Sequence, residues 1–333
     1  MTGRMTALVA RGGREITDAD AFVEQEVPVP ELRARDLLVR VRAVSVNPVD
    51  TKIRTGLGRD EPKILGYDVA GTVEAIGPDV TRFAVGDEVY YAGDVTRNGG
   101  NSACHAVDER VVGSKPTSLS FAEAAALPLT TLTAWEVLFD HFRLGDDSAG
   151  TLLVLGGAGG VGSIAVQLAK RLTSLEVLAT ASRDESRAWA LAQGADGVVN
   201  HHRLVDEVRS AAPQGVNYVL ASQTAGNVDA FAEIVAPFGH IAALDEPPGL
   251  DILPLKTKSI AWHWQMMFTR SMFETADMAE QGKILDRVGE LVDEGTLRTT
   301  LRTAIPGIDV DGLRRAHELV ASGKAIGKVV LHD

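Results

Sequence analysis

The chain has 333 residues, 45% of them hydrophobic and 23% charged, with a formal net charge of −12 and a single cysteine, Cys104. That length points to two domains rather than one core, and the acidic balance excludes nucleic acid and anionic membrane as main partners. One cysteine excludes an internal disulfide and a multi-cysteine zinc site.

In chain order, the opening MTGRMTALVARGGRE lacks the apolar core of a signal peptide, and no apolar run is long enough to span a bilayer, so a cytoplasmic location is expected. Residues 5–115 read as β-rich. Strands are predicted at 5–10, at 37–46 with the period-two pattern of a half-buried strand, at 69–76, and around a turn within 83–91. Many short strands with glycine turns suggest a barrel-like module. Residues 94–102 read as a polar loop, Cys104 as a packing residue, and His105 equally as a surface residue. Ser120 and Glu123 form a capping box that opens an alanine-rich helix interrupted by Pro128. A helix over 131–142 then places Trp135, Leu138, Phe139 and Phe142 in the core.

The stretch 151–170, TLLVLGGAGGVGSIAVQLAK, reads as a buried strand, a tight turn and a helix. Gly157, Gly159 and Gly162 fit G-x-G-x-x-G, with Gly160 and Val161 between them. The pattern suits a tight turn, close backbone approach to a pyrophosphate, and helix-on-strand packing. Strands at 176–180, 197–200, 216–221 and 240–244 alternate with helices at 184–193, 203–211 and 228–235, the rhythm of a Rossmann doubly wound parallel sheet. Helices at 276–294 and 309–322 and a strand at 328–331 follow. The nucleotide module, 128–265, is thus inserted into a β-rich domain formed by 1–127 and 266–333.

At the end of the second strand of that module an NAD site wants a carboxylate; this chain has Ala181, Ser182 and Arg183. Ser182 and Arg183 are suited to a 2′-phosphate, which favours NADPH. Arg183 as a mere cap of the next helix is the plainer alternative.

Six segments in this order resemble the medium-chain dehydrogenase/reductase superfamily: SVNPVDTKIRTG (45–56), LGYDVAGTVEAIG (65–77), VGDEVY (85–90), ALPLTTLTAWE (126–136), GGAGGVGSIAVQLAK (156–170) and GKAIGKVVL (323–331). Within it the chain is similar to the zinc-independent quinone oxidoreductases related to zeta-crystallin, some of whose relatives carry a zinc-type alcohol dehydrogenase label. The resemblance implies a GroES-like first domain, Thr133 beside the nicotinamide, and His201 and Leu244 at the cofactor. It also implies a homodimer paired through an edge strand supplied by 239–244 or the segment after it. Zinc-dependent members carry ligands where this chain has Asn47, Tyr67 and Leu129, so no metal is expected.

Without a Lewis acid the product anion must stabilise itself, which selects quinones and α,β-unsaturated carbonyls as small-molecule substrates. In a cleft between the two domains, Asn47 and Tyr67 would face the substrate, Tyr67 as a proton donor, with Asp50 orienting its neighbours. The plain alternatives are a turn at Asn47-Pro48 and a wall at Tyr67. Residues 51–62 and 245–275 read as pocket-lining loops. The rival functions are a metal-dependent alcohol dehydrogenase and a nucleotide-binding protein with a structural or regulatory role.

Overall fold

The computed structural model describes residues 3–333; residues 1 and 2 of the first segment lie outside the described residues. The chain divides into two compact units, one running through Leu132 and resuming over Phe268–Asp333, the other spanning Thr133–Met267. The first division falls inside the Pro128–Trp135 helix rather than before it at 127/128.

In the first unit a seven-stranded sheet is built about the strand Asp36–Val46. Cys104–Asp108 pairs with its first half and Lys328–His332 with its second, while Val69–Ile76 runs along its other side. The expected half-buried alternation does not hold. Helices Phe121–Ala125 and Val310–Ala321 pack against this strand, so only Arg40 is exposed and Arg42 half-exposed. The register that sets Val329 opposite Val46 brings Lys328 beside Asn47. A second sheet, of three strands, orders Phe22–Pro28, Arg4–Arg11 and Pro62–Ile64.

Asn47-Pro48 is not an isolated turn. Asn47 caps a helix, Pro48–Gly56, with proline in its first turn, and the Asp50 carboxylate accepts the Asn47 backbone N–H at 2.8 Å. Half of the presumed 51–62 loop is therefore helical.

The second unit holds six parallel strands in the order Gly197–Val199, Glu176–Thr180, Thr151–Val154, Val216–Ala221, Val235–Ala243, Ala261–Trp264. Numbered along the chain this is 3-2-1-4-5-6, the doubly wound arrangement. Helix Asp184–Gln193 closes on Gly194 at φ +113°. Residues 239–243 belong to an interior strand, hydrogen-bonded on both sides. One edge of the sheet is Ala261–Trp264, in the segment after it, and the other is Gly197–Val199. The expected 131–142 helix changes pitch: beyond Trp135 the residues Glu136–His141 form a π-helix. Gln265 explains the wider turn, donating to Glu136 at 2.6 Å and bonding His141 Nε2 at 2.7 Å, so residues five apart meet one amide. No helix among the described residues is long and apolar enough to cross a membrane.

Candidate functional site

In the first unit, Asn47, Asp50, Tyr67 and Asp68 are all buried, and Asn47 is hydrogen-bonded to both Asp50 and Asp68. Asp50 receives the backbone N–H of Asn47 through one oxygen and that of Gly66, at 2.9 Å, through the other. It bridges the start of the Pro48–Gly56 helix to the residue before Tyr67. Burial pushes its carboxyl up to about 6 against those two hydrogen bonds. An orienting role suits this geometry better than proton transfer.

Asp68 is the busiest group. Its Oδ2 accepts from Asn47 Nδ2 at 2.9 Å and from Lys328 Nζ at 2.9 Å, and its Oδ1 accepts the Leu129 N–H at 2.8 Å, inside the first turn of the Pro128–Trp135 helix. Lys328 also donates to Asn47 Oδ1. The pair is dry, with side-chain exposures of 3% for Lys328 and 0% for Asp68. Burial raises the Asp68 carboxyl, and Lys328 opposes that rise. Neither residue stood out in the sequence as a site residue, although Asp68 follows Tyr67 and Lys328 lies in the GKAIGKVVL segment. The Asn47 amide has its oxygen on Lys328 and its nitrogen on Asp68. Both ends of the amide are thus engaged inside the protein.

Tyr67 is fully buried, edge-on to Phe268 with ring centroids 5.7 Å apart. Its hydroxyl lies 3.5 Å from Val95 O and 3.4 Å from Arg97 O, long contacts that a better acceptor would displace. Burial drives its acidity down, so the phenol remains a donor. The loop above it is pinned from below. Arg97 makes a two-pronged ion pair with Asp36 at 2.9 and 2.6 Å. His105 is buried, not superficial: Nε2 reaches Asn98 O at 2.8 Å and Nδ1 the Tyr91 hydroxyl at 3.1 Å. The carbonyl requires the proton on Nε2, so Nδ1 accepts from Tyr91. Cys104, as expected, is a packing thiol; it donates to Glu74 at 3.3 Å. Asn101, buried against Gly66, has no partner for either amide atom.

In the second unit the glycine loop leads into helix Gly160–Leu172, capped by Gly159 with no side chain on its N-terminus. Gly156, not Gly157, has the left-handed backbone, φ +71°. A Cβ at Gly157 would meet Ala179 Cβ at 2.5 Å, and one at Gly162 would meet Gly156 O at 2.3 Å. The loop is thus pressed against both the neighbouring strand and its own helix, leaving the first-turn N–H groups of Gly160, Val161 and Gly162 as an anion cradle. This donor set fits a dinucleotide pyrophosphate. Ser182 and Arg183 are exposed just past strand Glu176–Thr180, and Ala181 before them is buried. Thr133 is buried in the Pro128–Trp135 helix, and Leu244 donates its N–H to Ala221 O at 2.9 Å. His201 is exposed, its ring 4.2 Å from that of His202.

A catalytic zinc needs three protein ligands and an open position. At the positions that the resemblance matches to zinc ligands stand an amide bonded to an ammonium, a phenol and the side chain of Leu129, and that ammonium is also paired with Asp68. Among the described residues no three His, Cys, Asp or Glu side chains form a metal-holding group. The residues present do not fit zinc.

Two family models match, one described as "Alcohol dehydrogenase GroES-like domain" over 33–136 and one as "Zinc-binding dehydrogenase" over 193–331. A zinc-type alcohol dehydrogenase-like protein of Staphylococcus epidermidis is 36% identical, over 98% of this chain and 99% of its own. A quinone oxidoreductase of Lama guanicoe is 30% identical over 96% and 94%, and a 2-methylene-furan-3-one reductase of Solanum lycopersicum 30% over 93% and 75%. Among solved structures, a protein of Rhizobium etli CFN 42 described as a zinc-dependent alcohol dehydrogenase superposes with TM-score 0.95 at 46% identity, covering 100% and 99%. A mycobacterial protein in complex with NADPH superposes with TM-score 0.84 at 26% identity, covering 99% and 100%.

Proposed function

Because the chain belongs to the medium-chain dehydrogenase/reductase superfamily, we propose that it is an NADPH-dependent reductase of small quinones or α,β-unsaturated carbonyls that works without a metal. One observation carries this reading: Asn47, which the resemblance matches to a ligand position of zinc-dependent members, is held instead by Asp68 and Lys328 in a buried network. Such a site has no Lewis acid to hold an alkoxide. It suits acceptors whose product anion, an enolate or a hydroquinone anion, is stable enough to need only orientation and a hydrogen bond.

NADPH, when bound, supplies the hydride. The N-terminus of helix Gly160–Leu172 holds the pyrophosphate, and Ser182 and Arg183 read the 2′-phosphate. Thr133, His201 and Leu244 complete the cofactor contacts. Asp50 and Asp68 hold the segment that carries Tyr67, and the Tyr67 phenol, kept protonated by burial, hands its hydrogen bond from the Val95 and Arg97 carbonyls to the reduced substrate. The quinone oxidoreductase and furanone reductase relatives support the acceptor class, and the NADPH complex of the mycobacterial structure supports the cofactor.

The test is NADPH consumption against a panel of quinones, 2-alkenals and cyclic enones, with ethanol and benzyl alcohol oxidation and zinc content measured on the same preparation. Turnover of an activated acceptor with background alcohol oxidation is expected. Alcohol oxidation that depends on stoichiometric zinc would establish the metal-dependent alternative. No NADPH turnover with any acceptor would favour the nucleotide-binding reading.

A further inference from the structure

The Gly66–Asp68 segment is held on both sides of Tyr67. Before it, the Gly66 N–H is fixed on Asp50; after it, the Asp68 backbone carbonyl accepts the Ser45 N–H at 2.9 Å. The Asp68 side chain adds three further bonds, two of which converge on Oδ2. Lys328 decides the order within that cluster. An ammonium on Asn47 Oδ1 and a carboxylate on Asn47 Nδ2 leave the amide one orientation, because a flip would set NH2 against ammonium and oxygen against carboxylate. Replacing a dry ion pair by uncharged groups is often tolerated by a fold. The pair is therefore poor evidence for a purely stabilising purpose, and its carboxylate belongs to the residue that follows Tyr67.

We propose that Lys328 is a positioning residue: its ammonium, shared between Asp68 and Asn47, fixes the segment that carries Tyr67 and so sets where the phenolic proton is offered. The proposal rests on the reductase reading for its chemistry, and on the structure alone for its geometry.

The experiment separates the two. Protein labelled with 3-fluorotyrosine has four tyrosines, Tyr67, Tyr90, Tyr91 and Tyr218. Tyr67→Phe assigns the resonance of interest, and Tyr218 serves as the reference. Two variants are compared with wild type: Lys328→Arg, which keeps the cation, and Lys328→Met with Asp68→Asn, which removes both charges but keeps an acceptor for the Leu129 N–H. In the uncharged variant the Tyr67 fluorine resonance is expected to shift or broaden while that of Tyr218 stays. Its kcat with a cyclic enone is expected to fall about tenfold or more, with the KM for NADPH within about twofold of wild type. Lys328→Arg should restore the resonance, in whole or in part. An unchanged Tyr67 resonance and kcat in the folded, uncharged variant overturns the proposal. Failure of both variants to fold assigns the pair a structural role alone and overturns it too. A wild-type protein that turns over no acceptor sinks the reductase reading, while the fluorine resonance still decides for or against Lys328.

Discussion

Arg183 stands exposed immediately before helix Asp184–Gln193, two residues past the buried Ala181. If it reads the 2′-phosphate, Arg183→Ala weakens NADPH by about 1.5–3 kcal/mol, the range for a hydrogen bond to a charged group, and leaves NADH nearly unchanged. Isothermal titration with both cofactors checks this, and equal losses would return Arg183 to the role of a cap. His317 tests a different property. It is buried against Phe22 with neither ring nitrogen bonded, and burial, aided by the Arg54 charge, lowers its pKa to about 3. The unfolded chain takes up this proton near pH 6.5 and the folded chain refuses it, so stability is lost as pH falls from about 6.5 to about 3. His317→Leu removes no hydrogen bond and should flatten that acid limb, by on the order of 1 kcal/mol per pH unit at its steepest. Parallel urea titrations at several pH values measure it; identical slopes would refute it. Asp50 acts with the opposite sign: its raised pKa favours the folded state below the usual carboxylate range, an advantage lost as pH rises to about 6.

Among the elements, the glycine loop and its helix form one device whose tolerance is set by contact distance. A methyl at Gly162 would strike the Gly156 carbonyl and the Gly157 Cα, both backbone atoms that cannot swing away. Gly162→Ala is expected to cost about 1–3 kcal/mol of stability, as overpacking does, and to weaken NADPH by moving the loop. Thermal melts and cofactor titration on one preparation check both; a variant with unaltered melting and affinity would show the loop to be slack. Helix Pro48–Gly56 was within reach of the sequence, since Asn47-Pro48 with Asp50 is an N-cap, a first-turn proline and an acid at the third position. The π-helix Glu136–His141 was not. Its aromatic spacing reads as an ordinary helix until Gln265, more than a hundred residues on, draws Glu136 and His141 to one amide.

For the molecule as a whole, the exposed strand edge matters most. Ala261–Trp264 ends the sheet of the second unit, and Trp264 is 54% exposed there. An unpaired edge bearing a large apolar side chain is a template for a second strand, and pairing with a copy of itself is closed by a two-fold axis. Light scattering at micromolar concentration should give twice the chain mass, and Trp264→Asp should shift it toward the single chain. A wild-type protein at the single-chain mass would exclude the dimer.

The sequence by itself determined what depends on near neighbours: the strand–turn–helix at 151–170, the alternation that yields a doubly wound sheet, and the capping box at Ser120. Those features are periodicities and spacings, and each is complete within a few turns of chain. Tertiary structure alone decided that the Asn47 amide is engaged inside the protein, that His105 is buried, that Ala261–Trp264 is an edge of its sheet, and that Lys328 meets Asn47 and Asp68. Lys328 lies 281 residues from Asn47 and 260 from Asp68 along the chain, and no local pattern predicts their meeting. It follows from the antiparallel register that sets Val329 against Val46. Burial then turns that adjacency into chemistry, because a carboxylate, an amide and an ammonium removed from water must find their partners inside the protein.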